Sequence, residues 1–169
     1  MALDLETRNQ LIDSVRRFVR DRLVPVEDKT AVEDKVPDDV VAEMRELGLF
    51  GISIPTEYGG LGLTMEEEVL VCFELGQTSP AFRSVIGTNV GIGSQGVVMF
   101  GREDQKKEWL PKLASGEAIA SFCLTEPHAG SDAASIRTTA IRKGDHYVVN
   151  GTKRYITNAN KASVFTLMA

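Results

Sequence analysis

The sequence is short of three things: cysteine, of which it has two, clusters of Lys and Arg, and long apolar runs. Cys72 and Cys123 lie far apart in apolar surroundings, a spacing that offers neither a disulfide framework nor a set of metal ligands, so both read as buried thiols. The formal net charge of −5 is spread over both signs along the chain, which excludes the basic face of a nucleic-acid binder or of a membrane-surface helix. No apolar stretch approaches the roughly 20 residues that cross a bilayer, and the opening Met-Ala-Leu-Asp-Leu-Glu-Thr-Arg is too charged for a signal-peptide core. These shortages predict a cytoplasmic protein with no membrane span, no metal and no nucleic-acid partner.

What is present suits a folded protein. With 169 residues, 43% apolar and 25% charged, the chain can bury one full domain and part of another. Leu11, Val15, Phe18 and Val19 share one face at helical spacing, with Arg16, Arg17, Arg20 and Asp21 opposite, which predicts an amphipathic helix ending before Pro25. A charged connection, Glu27 to Lys35, leads to Pro37, after which Val40, Val41, Met44 and Leu47 mark a second helix stopped by Gly48. Gly51 to Gly62 is rich in turn formers, and Thr64 with Glu67 reads as a capping box opening a helix to about Leu75. Ser79-Pro80 starts another helix, and Arg102 to Leu113 forms one more, with Trp109, Leu110 and Leu113 on one side.

Beyond Ser115 the character changes. Ala118 to Leu124 is a compact apolar run, and Thr138 to Ile141, Tyr147 to Val149 and Lys153 to Thr157 read as short strands separated by turns at Lys143-Gly-Asp and Asn150-Gly. Val164 to Ala169 is a last strand candidate without a terminator, which predicts that the sheet continues past this sequence. The expected architecture is α+β: an all-α domain over residues 1–115, then, over 116–169, the first part of an antiparallel, β-barrel-like domain.

Gly91-Ile-Gly93-Ser-Gln-Gly96 matches the G-x-G-x-x-G dinucleotide pattern. That pattern needs a strand before it and a long helix after it, and only Val97 to Phe100 separate it from Gly101, so close packing of small residues is the preferred reading.

The residues that carry chemistry lie between strand candidates. In Phe122-Cys-Leu-Thr-Glu-Pro-His-Ala-Gly-Ser131-Asp132, Pro127 and Gly130 enforce an irregular loop, while Thr125, Ser131 and Asp132 supply polar groups. Local satisfaction of turn amides would explain those groups as well as a ligand would. Together with Asn150-Gly-Thr-Lys-Arg-Tyr-Ile-Thr157-Asn-Ala, however, the loop resembles the paired flavin-binding signatures of the acyl-CoA dehydrogenase family. Ile54-Pro-Thr-Glu-Tyr-Gly-Gly-Leu-Gly62 and Gly101-Arg-Glu-Asp-Gln-Lys-Lys-Glu-Trp-Leu-Pro-Lys-Leu113 occupy that family's expected order, so the similarity covers nearly the whole chain.

The resemblance implies an FAD enzyme that dehydrogenates an acyl-CoA thioester at its α,β bond, as in fatty acid β-oxidation, and passes electrons to an electron-transfer flavoprotein. By it, Phe122, Leu124, Thr125, Gly130 and Ser131 contact the flavin from the loop, and Tyr155, Ile156 and Thr157 lie along the ring, with Thr157 near N5. Ser131 would also meet the thioester portion of the substrate. Arg83 occupies a position where relatives acting on dicarboxylic CoA esters hold the far carboxylate. The catalytic Glu is implied to come from a C-terminal helical domain beyond residue 169, so no catalytic base is expected in this sequence, which alone would be inactive. The same domain would complete a homotetramer. Glu126 is assigned a structural role, and His128 reads as a surface-loop residue. Many members carry Trp where this chain has Tyr155, a change that keeps the aromatic face. Two readings remain open beside this one: a catalytically silent helical and β module, and a flavoenzyme of the wider superfamily with different chemistry.

Overall fold

The computed structural model describes residues 2–169 and opens on a capped helix. Asp4 accepts from the Thr7 amide at 2.9 Å and starts α1 (Leu5–Phe18), which buries Val15 and Phe18 as its spacing requires. The helical path runs past the expected stop through a π-helical turn, Val19–Leu23, and a 3-10 turn, Val24–Val26, because Pro25 lacks the amide that an α-helix would need there. The charged connection is itself a helix, α2 (Glu27–Glu33), with Glu27 and Asp28 in its first turn, Thr30 facing inward and Asp34 ending it in the left-handed region (φ 49°). Then come α3 (Asp38–Glu46), stopped at Gly48 (φ 70°), and α4 (Met65–Leu75), whose capping box forms as expected, Glu67 accepting from the Thr64 amide at 2.7 Å. α5 (Pro80–Val90) and α7 (Glu103–Ser115) flank a short helix that the sequence pattern did not suggest, α6 (Gln95–Phe100).

Fully buried Leu23, Met44, Leu49, Phe50 and Phe82 centre the helical core, and a second cluster of Ile54, Leu110, Leu113 and Ala120 joins α7 to the first strand. Of the two thiols, Cys123 is buried and Cys72 half-buried.

The strands differ from expectation in two respects. β2 (Thr139–Lys143) and β3 (His146–Asn150) form the antiparallel hairpin, turned by Gly144 at φ 66°. β1 (Ala120–Cys123) and β4 (Val164–Leu167), in contrast, pair in parallel, with Ala120 opposite Val164 and Cys123 opposite Leu167. Lys153 to Thr157 is not a strand: Tyr155 adopts φ 58°, which breaks the extended path. The glycine pattern packs as the sequence suggested. A Cβ on Gly93 would lie 2.7 Å from the Ala120 side chain, and one on Gly96 2.9 Å from the Thr166 hydroxyl, so these glycines let the α5–α6 corner close on β1 and β4.

Asn89 ties the two parts together. Completely buried, its amide donates to Leu113 O and Ala118 O, each at 2.9 Å, and its carbonyl accepts from the Ala120 amide at 2.8 Å. Replacing it with Ala would strand two carbonyls and an amide away from water. Asn89→Ala is therefore expected to cost about 3 kcal/mol or more of stability, read as a lower urea midpoint in equilibrium unfolding; an unchanged midpoint would refute the role.

Candidate functional site

β1 delivers the chain into a tight turn in which Glu126 N–H donates to Ala129 O at 2.8 Å and Ala129 N–H returns to Glu126 O at 3.3 Å, leaving Pro127 and His128 at the exposed tip. The Glu126 side chain points inward and is 4% exposed. Its carboxylate accepts from Arg137 N at 2.7 Å, Thr138 N at 2.9 Å, the Thr138 hydroxyl and Lys153 Nζ at 2.9 Å, with His128 Nε2 at 3.4 Å. The Thr138 hydroxyl, the Arg137 amide and the Lys153 ammonium, in that order, hold this carboxyl far below the usual carboxylate range, against the opposing effect of burial. A carboxylate so fully engaged and so weakly basic is no proton acceptor, which agrees with the structural role expected for it.

The second segment returns beside the first. Lys153 Nζ also donates to Leu124 O at 2.9 Å, and the Arg154 amide donates to Thr125 O at 2.8 Å. Tyr155 and Asn158 take left-handed backbone conformations, φ 58° and 62°, each costing on the order of 1 kcal/mol outside glycine. The segment is secured at both ends of that bend. Ser121 Oγ donates to Thr157 O at 2.7 Å, and Asn158 Nδ2 donates to Ser84 O at 3.1 Å and Thr88 Oγ1 at 2.9 Å, which anchors it on α5. The Tyr155 ring is left 77% exposed, with the Arg154 guanidinium 4.6 Å over its face.

The sequence motifs are thus brought together in part. Leu124 and Thr125 are bonded to Lys153 and Arg154, the two residues that lead into Tyr155, and Phe122 lines an apolar cleft of about 590 Å³ with Val97, Phe100, Val164 and Phe165. Gly130 and Ser131 lie exposed beyond the Glu126 turn. Arg83 sits exposed on α5, its guanidinium folded over Gly87 and next in sequence to the Ser84 carbonyl that Asn158 grips. Lys153, Ser121 and Asn158 carry the geometry, yet their pattern gave no sign of it, because their partners are backbone groups distant in sequence.

Three features of this surface suit a flat polar ring. The hydroxyls of Thr125 and Thr157 make no hydrogen bond among the described residues, and a Cβ at Gly130 would meet nothing within 4 Å, so the chain itself explains neither the hydroxyls nor the glycine. The exposed ring of Tyr155 lies two residues before Thr157 on the same segment. Among the described residues no group of His, Cys, Asp and Glu could hold a metal ion, and no helix is long and apolar enough to cross a membrane.

A helical unit leading into a small sheet, with two opposed loop segments on it, is the arrangement of a flavoprotein dehydrogenase fold. Residues 6–117 match the family model "Acyl-CoA dehydrogenase, N-terminal domain" and residues 121–169 match "Acyl-CoA dehydrogenase, middle domain", so the chain belongs to the acyl-CoA dehydrogenase family. It is 37% identical to an acyl-CoA dehydrogenase of Bacillus subtilis over 155 residues, 92% of this chain and 41% of that protein. Among solved structures it is similar to a glutaryl-CoA dehydrogenase from Mycobacterium smegmatis in complex with FADH2 (37% identity, TM-score 0.90, covering 99% of this chain and 43% of that one). It is also similar to an acyl-CoA dehydrogenase complexed with FAD from Bacillus anthracis (36% identity, TM-score 0.85, covering 97% and 28%). The chain therefore spans well under half the length of these relatives.

The acid response of the fold follows from Glu126. Its carboxyl is held below the unfolded value of about 4.3, so the ionised form stabilises the fold above that pH, and the contribution drains away as pH falls through and below it. Glu126→Gln is expected to be less stable than wild type at neutral pH and to lose less on acidification. Urea unfolding near pH 7 and near pH 3 checks this; parallel losses in the two proteins would contradict it.

Proposed function

We propose that this chain forms part of an FAD-dependent acyl-CoA dehydrogenase, with an N-terminal helical domain to about residue 115 and a β domain that starts beyond it. The observation that carries the reading is the bonding of Leu124-Thr125 to Lys153-Arg154, which brings together two segments that carry uncommitted threonine hydroxyls at 125 and 157 and the exposed ring of Tyr155. FAD, when bound, would take the β-hydrogen of the acyl-CoA thioester as hydride while a base removes the α-proton.

The chain's own residues supply the setting. Phe122, Leu124, Gly130 and Ser131 are assigned to flavin contact from the first loop, Tyr155 and Ile156 to contact along the ring from the second. The Thr125 hydroxyl would donate to the polar edge of the ring. Thr157 would donate where electron density accumulates near N5, a placement that favours the reduced state. With flavin bound, Phe122 and Tyr155 would cover that face against water. Ser131 is assigned to the thioester portion of the substrate as well. The family resemblance assigns the base to a Glu from elsewhere in the protein, and the full pairing of Glu126 is consistent with that. An electron-transfer flavoprotein as acceptor, a homotetrameric assembly, a role in fatty acid β-oxidation and a cytoplasmic setting, compatible with two unpaired thiols, complete the reading.

Arg83 favours a narrower version, a substrate with a carboxylate at its far end. It belongs to no ion pair among the described residues and sits on the helix that anchors the second segment. Arg83→Leu is expected to abolish turnover of glutaryl-type esters selectively if such esters are substrates; equal activity on both ester classes would remove Arg83 from the site.

Visible spectra of the product of the full gene, purified with FAD, test the main reading. It should be yellow and bleach anaerobically with one class of acyl-CoA ester, and Thr157→Val should slow that bleaching roughly tenfold or more. Protein that takes up no flavin sinks the proposal, and unaltered bleaching in Thr157→Val removes the N5 assignment.

A further inference from the structure

Lys153 joins the two segments of the candidate site, and flavin binding as read above gives it no part. Its side chain is 10% exposed, and its ammonium divides its donors between Glu126 Oε1 and Leu124 O, both at 2.9 Å. The next amide, Arg154, holds Thr125 O at 2.8 Å. Two successive residues of one segment therefore grip three successive residues of the other.

A lysine serving as counter-charge alone would need only the carboxylate. Here one donor is committed to the backbone carbonyl of residue 124, and that carbonyl is joined through one peptide bond to Thr125. On the other side, Lys153 stands two residues before the left-handed bend at Tyr155, whose exit is fixed by Ser121 on Thr157 O. Glu126 is the fixed point of the assembly, because the Arg137 and Thr138 amides and the Thr138 hydroxyl hold it independently of Lys153. Gly151 lets the incoming strand pass close by: a Cβ there would fall 2.2 Å from the Thr138 hydroxyl. The ammonium thus works from a rigid acceptor to set the spacing between the segments.

We infer that Lys153 is a positioning residue: anchored on Glu126, it holds Leu124-Thr125 against Tyr155-Ile156-Thr157 and so sets the distance between the two hydroxyls offered to the flavin. The inference rests on the flavin reading and adds to it a residue that touches neither flavin nor substrate. A lysine at this place gives the site a registered gap, where separate loops would give a variable one.

The test uses the product of the full gene loaded with FAD, comparing wild type with Lys153→Met, Lys153→Arg and Glu126→Gln. Lys153→Met is expected to weaken FAD binding by roughly tenfold or more, the scale of one lost charge-assisted hydrogen bond. It should also blur the fine structure of the flavin absorption band and speed hydrogen exchange at the Arg154 amide, with the far-ultraviolet circular dichroism of wild type retained. Lys153→Arg should recover most of the affinity and the band shape, which a loss of stability alone would not predict. If Lys153→Met does not fold, Glu126→Gln carries the same readouts with a smaller loss expected. Wild-type affinity and spectrum in the folded variants overturn the positioning role while leaving flavin binding intact; a wild type that takes up no FAD overturns both.

Discussion

The buried amide of Asn89 is the point on which the arrangement depends. A helical bundle and a sheet that follows it in sequence share no backbone ladder, so their relative placement rests on packing alone unless a polar group bridges them. Asn89 supplies three bonds from α5, to the end of α7, to the connection beyond it and to the first residue of β1. With β1 fixed, Ser121, the next residue, can reach Thr157, and the loop after Cys123 leaves the strand at a defined place. The small residues of the α5–α6 corner complete the joint by letting backbone approach backbone.

The site built on that joint is polar in its interior and unfinished at its surface. Its buried part pairs the Glu126 carboxylate with the Lys153 ammonium and adds the Thr138 hydroxyl and the Arg137 and Thr138 amides, so the loop is held from within by charge-assisted bonds. Its outer part offers two threonine hydroxyls without a partner among the described residues and an exposed aromatic ring, one face of which lies against Arg154.

Much of this was legible in the sequence. α1, α3, α4, α5 and α7 declared themselves through apolar spacing and through caps such as Thr64 with Glu67, which are local signals. α6 did not, because two glycines next to a six-residue stretch look like a turn, and only packing against Val164 and Thr166 makes a helix there. Lys153 to Thr157 carries the aromatic and β-branched residues of a strand, but the bend at Tyr155 is imposed from outside by Arg154, Ser121 and Asn158. The parallel pairing of β1 with β4 has no local signature either. Leu124, Thr125, Tyr155 and Thr157 stood out as a motif; the bond from Lys153 to a carbonyl 29 positions away did not, since a lysine gives no hint of which backbone oxygen it will meet.

The parallel β1–β4 pair also sets an order of events. Residues 124 to 163 form the interval that this pairing closes, and they include both loop segments and the hairpin. Closing so long an interval demands chain entropy before a single ladder bond repays it, whereas the helices before residue 116 assemble from neighbours. On the ribosome the helical unit can therefore be complete while the loops still lack the strand that brackets them. The two loop segments are therefore expected to take shape after the helical unit, once β4 has reached β1.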